Sequence, residues 1–276
     1  MKSRKHIWLI VLLISVQINA FATHIVGGSL SYVYNWGSND TITLKLYRDC
    51  SSGTAASPTN IPLDVKGNNG AGVTPSSITL NKISTTSLPT NLPPCATAPS
   101  PLPCVEEIIY SATVNNLPSN VGGYHLYYSL CCRNTTITNV NTSGNNIGES
   151  YYAYIPQSSV YTNSNPVFTQ LPPLFICANQ AFTINHTATD SDGDSLVYSF
   201  YTPYKDNNPT FSGNVASFTP VTFLGGYSAG NPLGGGALSL SSSGVITGTA
   251  GGLGKYVFGV KVSEYRHGGL LSSTLR

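Results

Sequence analysis

No stretch of this 276-residue chain carries the run of Ala, Glu, Lys and Leu from which a stable helix is built. Short segments alternate instead between apolar and polar residues, with Gly, Pro, Asn and Asp between them. Leu30, Tyr32 and Tyr34 alternate with Ser31 and Val33; past the turn-forming residues 35–40, Ile42, Leu44 and Leu46 alternate with Thr41, Thr43 and Lys45. A period of two sends one set of side chains to one face, the pattern of a half-buried strand. Further strands are expected at 61–65, 77–83, 106–114, 124–132, 137–140 and 151–155. Beyond a proline-dense stretch they resume at 181–189, 196–201, 216–223, 237–240, 245–246 and 255–263. With 27 Gly, 18 Pro and 17 Tyr, the expectation is an all-β fold of two β-sandwich domains. The prolines of residues 165–173 place the boundary, with one domain over 23–165 and the other over 174–276.

The N-terminus reads as an export signal. Lys2, Arg4 and Lys5 precede the apolar run 7–14, and Ala20-Phe21-Ala22 offers small residues for cleavage after Ala22. The run is too short to span a bilayer comfortably, and no transmembrane segment is expected after the signal, 1–22, is removed. Cleavage takes those three cations away. The 13 Lys+Arg of the whole chain then become 10, against 11 Asp+Glu. No basic field remains to attract nucleic acid or anionic lipid.

Six cysteines, Cys50, Cys95, Cys104, Cys131, Cys132 and Cys177, follow the signal. An even count in an exported chain points to disulfides, because the compartment is oxidising. Cys95–Cys104 is the expected pair, across a Pro-rich loop. The adjacent Cys131 and Cys132 would point to opposite faces of an extended strand and so take different partners. Zinc is disfavoured: no Cys-x-x-Cys pair exists and no His stands at finger spacing.

The densest acidic cluster is Asp190-Ser191-Asp192-Gly193-Asp194. Three carboxylates so close repel one another unless they are solvated or bridged by a cation. Calcium accepts six to eight oxygens in irregular loops, which makes Asp190, Asp192 and Asp194 candidate calcium ligands. The spacing is not that of an EF-hand, since Gly stands fourth and Tyr201 twelfth. A solvated turn is the plainer alternative.

Hydrolase motifs are incomplete. Ile25-Val26-Gly27-Gly28 resembles the start of an activated trypsin-like protease, but the accompanying histidine and serine motifs are missing. Gly193-Asp194-Ser195-Leu196 resembles a GDSL esterase motif without the late Asp-x-x-His that would supply its base. His24, His125, His186 and His267 are scattered, and Glu106-Glu107 is the only other acidic pair. The glycine pairs and triplets lack the Lys-Ser/Thr of a phosphate loop. Tyr127, Tyr128, Tyr151, Tyr152, Tyr154, Tyr198, Tyr201 and Tyr204 suit either sandwich cores or sugar stacking.

Two resemblances extend this reading. Residues 187–199, around the acidic turn, together with Gly244-Val245-Ile246-Thr247-Gly248-Thr249 and residues 254–262, resemble the early and closing strands of cadherin-like and immunoglobulin-like repeats. That likeness implies such sandwiches, and in cadherins acidic residues at domain junctions hold calcium. More of the chain is similar to the N-terminal region of large secreted Bacteroidetes surface proteins. Those proteins carry PKD or immunoglobulin-like repeats and a gliding-motility-associated C-terminal sorting domain. The matching residues are 24–28, Leu46-Tyr47-Arg48-Asp49-Cys50, Cys131-Cys132-Arg133-Asn134, 172–177, 231–235 and Glu264-Tyr265-Arg266. The sorting domain is not in this chain, which implies either the N-terminal part of a larger adhesin-like protein or another export route. The combined expectation is a non-catalytic structural or adhesion module at the bacterial surface, facing a surface protein or glycan. A carbohydrate-binding module is the alternative.

Overall fold

In the computed structural model, the described residues are 25–35, 39–51, 56–97, 102–115, 117–118, 120–131, 133, 136–143, 147–157, 161–205, 208–213 and 215–276. The expected signal, 1–22, and His24 lie outside them. The fold is all-β, with antiparallel sheets, as the period-two patterning implies.

Seven strands form the first sheet: β1 (Ile25–Asn35), β2 (Asn39–Asp49), β3 (Asn60–Gly67), β4 (Ser77–Ser87), β5 (Val105–Asn115), β6 (Tyr124–Leu130) and β7 (Glu149–Ile155). Their order is β1-β2-β5-β4-β3-β6-β7, and β1 and β7 at its ends come into contact, so the sheet nearly closes. Alternation does the work expected of it. Leu30 and Tyr32 on β1 and Ile42, Leu44 and Leu46 on β2 point into one core with Leu63, Leu80, Ile108 and Leu126. The last gap is sealed by residues 163–165, which lie along the free edge of β1. Asn165 N–H donates to the Tyr32 carbonyl (2.9 Å), and Tyr32 N–H donates to Asn165 Oδ1 (3.1 Å). The proline stretch expected as a boundary therefore begins with residues that are buried.

The rest of the chain contributes β8 (Val167–Phe168), β9 (Ala181–Asn185), β10 (Ala188–Thr189), β11 (Ser195–Tyr201), β12 (Thr210–Ser212), β13 (Val215–Ser217), β14 (Ser239–Leu240), β15 (Val245–Thr249), β16 (Gly259–Arg266) and β17 (Gly269–Leu275). Two three-stranded sheets, β11-β16-β17 and β14-β15-β9, enclose a second core around Ile246, Val260, Val262 and Leu238. Among the described residues, the links between the cores include two packings of strands. β17 lies against β7 and β1, and the β12–β13 hairpin covers the outer face of the first sheet. There the Phe211 ring packs at a tilt against His125 (4.7 Å between rings), and His125 Nε2–H donates to the Gly213 carbonyl (3.1 Å). That fixes the imidazole as the tautomer whose Nδ1 accepts from the Tyr152 hydroxyl (2.8 Å).

The expected Cys95–Cys104 pair is not formed. Cys104 bonds Cys50, and Cys95 bonds Cys177. The register explains the first bond: β2 and β5 pair Asp49 with Val105, which leaves Cys50 and Cys104 opposite each other at the strand ends. The loop between Leu88 and Cys104 then carries Cys95 to Cys177, across the two cores. Cys131 is also disulfide-bonded, and its partner is not among the described residues. The expectation that Cys131 and Cys132 take different partners rests on Cys132, outside them.

Asp40, on β2, is only 8% exposed, and burial pushes its carboxyl up to about 6 from 3.8. The folded state thus holds a proton that the unfolded chain has released, so stability falls as pH rises from about 4 to 6. Two pH units correspond to about 3 kcal/mol at most. Asp40→Asn is expected to be more stable than the parent at pH 7 and to narrow the difference between urea midpoints at pH 4 and pH 7. An unchanged difference would show that Asp40 is not the source.

Candidate functional site

The acidic turn joins β10 to β11 and is shaped by its own backbone. Asp190 Oδ1 accepts the N–H groups of Asp192 (3.0 Å) and Asp194 (2.9 Å), a side-chain-closed turn. Gly193 sits at φ +80°, a conformation that favours glycine. One oxygen from each of Asp190, Asp192 and Asp194 lies within 4.8 Å of the others, so the three expected ligands are brought together.

Each carboxylate is already engaged. β11 pairs with β16 so that Ser195 faces Tyr265, which sets Arg266 beside Asp194. The guanidinium forks the carboxylate, Nε to Oδ1 at 2.7 Å and Nη2 to Oδ2 at 2.8 Å. Its remaining reach goes to residues 162–163: Nη1 donates to the Thr162 carbonyl (3.0 Å) and Nη2 to Asn163 Oδ1 (3.3 Å). Asp192 Oδ2 accepts the N–H of Ser164 (2.6 Å).

Behind the turn lies a buried polar network. Glu264, fully enclosed on β16, accepts at Oε1 from Asn163 Nδ2 (2.5 Å) and from the Ser272 hydroxyl. Asn165 Nδ2 donates to that hydroxyl, and the Thr274 hydroxyl donates to the Pro166 carbonyl (2.7 Å). Asn163 also reaches the Tyr32 hydroxyl (3.3 Å). The network therefore ties β1, the 162–166 segment, β16 and β17 together. Burial pushes the Glu264 carboxyl up to about 8; the Ser272 and Asn163 hydrogen bonds pull against this, and Asp190 adds to it. Glu264 Oε2 and Asp190 Oδ2 are both buried without a donor of their own.

Two further arginines show the same habit. Arg48 pairs with Glu106 (2.5 Å), and Arg133 with the buried Glu149 (3.3 Å). Arg133 also donates to the Gly148 (3.0 Å) and Tyr204 (3.1 Å) carbonyls. Each arginine belongs to a motif carried by the surface-protein resemblance, and each neutralises a carboxylate that folding takes out of water. Sequence reasoning quoted Glu264, Arg266 and Arg133 without assigning them roles, and it missed Asn163, Asn165 and Ser272. The alternation of acid and base in Glu264-Tyr265-Arg266 was the available signal.

The other singled-out residues are placed as follows. His186 is buried against Phe168 and Phe258, and burial lowers it to about 4. His267 occupies the tight turn between β16 and β17 at φ +51°. Ser195 is exposed at the start of β11. Gly28 packs so closely on Lys45 and Tyr151 that a Cβ there would lie 2.4 Å from the Lys45 carbonyl oxygen. None of the eight tyrosines that suited sugar stacking is exposed; Tyr127, Tyr151 and Tyr154 are buried. Among the described residues, no helix is long and apolar enough to cross a membrane.

No family model, curated protein or solved structure matches the chain.

Proposed function

We propose that this chain is a non-catalytic, exported structural or adhesion module of a bacterial cell surface, the N-terminal part of a larger adhesin-like protein. The observation that carries the reading is the Cys95–Cys177 bond, which joins loops 82 residues apart and spans the two cores. Such a staple persists where the surroundings are oxidising. The use of charge supports the same reading, because Arg48, Arg133 and Arg266 serve internal contacts. The sugar-stacking alternative draws no support from those eight tyrosines, which are buried or half-buried.

Expression of the full chain in a bacterial host, followed by fractionation and assay, tests this. The protein is expected outside the cytoplasm, shortened by about 22 residues as its signal would require. It should give background rates with esterase, peptidase and glycosidase substrates. Robust turnover, or an unprocessed protein retained in the cytoplasm, would overturn the proposal.

A further inference from the structure

We infer that Arg266 is a built-in cation that holds the acidic turn in place of a divalent metal ion. This stands apart from the surface-module reading and does not depend on it.

The cadherin-like resemblance implies calcium at this turn, and the residues present do not fit it. Calcium requires six to eight oxygens with freely available lone pairs. Here both oxygens of Asp194 are forked by the guanidinium. Asp190 Oδ1 is taken by two backbone N–H groups, and Asp192 Oδ2 by the N–H of Ser164. The neutral oxygens that could complete a shell, Thr162 O and Asn163 Oδ1, face Arg266 as well. Among the described residues at the turn, Asp190 Oδ2 and Glu264 Oε2 are buried without a donor and Asp192 Oδ1 is left to solvent, and three oxygens fall far short of a shell. A doubly charged ion entering here would also meet a fixed positive charge, screened little because the Asp194 side chain is only 3% exposed.

Arg266 performs the mechanical task that an ion would perform. It reaches from β16 to the turn and, with the same planar group, to residues 162–163 along the edge of the first sheet. A guanidinium stays charged across the accessible pH range and offers five donors in a fixed fork. The joint between the two cores is therefore independent of free metal.

Thermal melting of the full chain in about 5 mM calcium chloride and in about 5 mM EDTA, near the affinity range of weak extracellular calcium modules, tests this. Wild type and Arg266→Lys are expected to melt at the same temperature in both solutions. Arg266→Met is expected to melt lower in EDTA and to recover by about 2–4 °C in calcium, since its carboxylates then lack a cation. A wild-type melt that rises with calcium would overturn the inference, and so would an Arg266→Met protein that ignores calcium. If Arg266→Met does not fold in either solution, wild type and Arg266→Lys decide: calcium dependence in either refutes the inference, and independence in both supports it.

Discussion

Arg133→Met is expected to cost about 3–5 kcal/mol of folding stability, the range for a buried ion pair broken from one side. Glu149 is 2% exposed, and burial raises its carboxyl while Arg133 and the Tyr151 hydroxyl pull it back. Without the guanidinium, a carboxylate at the end of β7 must stay charged in an apolar setting or take up a proton. Either course lowers stability near neutral pH. The Gly148 and Tyr204 carbonyls lose their Arg133 donors at the same time. Adding Glu149→Gln to Arg133→Met removes the stranded charge and should restore more than half of the loss. Urea unfolding of the two single variants and the double variant measures this. A single-variant loss below about 1 kcal/mol would mean that the pair behaves like a solvated surface bridge.

The second large effect belongs to the disulfide between the cores. Replacing Cys95 and Cys177 together with alanine opens an 82-residue loop. By chain entropy this lowers stability by about 4 kcal/mol. The Cys50–Cys104 loop, at 54 residues, is worth nearly the same on that argument. The consequences should differ in kind. Cys50 and Cys104 end two strands already paired along their whole length, so their loss should leave the register of the first sheet intact. Cys95 and Cys177 hold loops that lack such a ladder. Their loss should free residues 88–104 first, read as faster amide exchange there while β2 and β5 stay protected. Equal protection of that loop with and without the bond would contradict the assignment.

How much of this was legible in the sequence depended on which force placed each residue. Strands rich in apolar and β-branched residues were placed: 41–46 lies within β2, 106–114 within β5 and 196–201 within β11. Strand β17 was missed. Its inward residues include Ser272 and Thr274, which face the core in order to bond Glu264 and the Pro166 carbonyl, so the apolar period is broken by design of the network. Residues 137–140 read as a strand but make only isolated bridges, to Lys255 and Phe223. Residues 181–189 split into β9 and β10 at His186, which turns inward between Phe168 and Phe258.

The same division applies to the site. The acidic turn was visible because its three carboxylates are adjacent in sequence. Its partners were not, because Asn163, Glu264 and Ser272 come together only when β16 and β17 fold back on the 162–166 segment. Proline spacing suggested a linker at 165–173, yet proline reports only on backbone geometry. The burial of Asn163, Ser164 and Asn165 goes with hydrogen bonds to residues 101 to 133 positions away, which local sequence does not encode.

Sulfur bridges at the strand ends of the first sheet and across the two cores hold this polypeptide together. Peptide mapping of the protein, purified with thiols blocked and digested without reduction, tests it most directly. Fragments joining Cys50 to Cys104 and Cys95 to Cys177 are expected, with no free thiol. Free cysteines at these four positions, or a Cys95–Cys104 fragment, would contradict it.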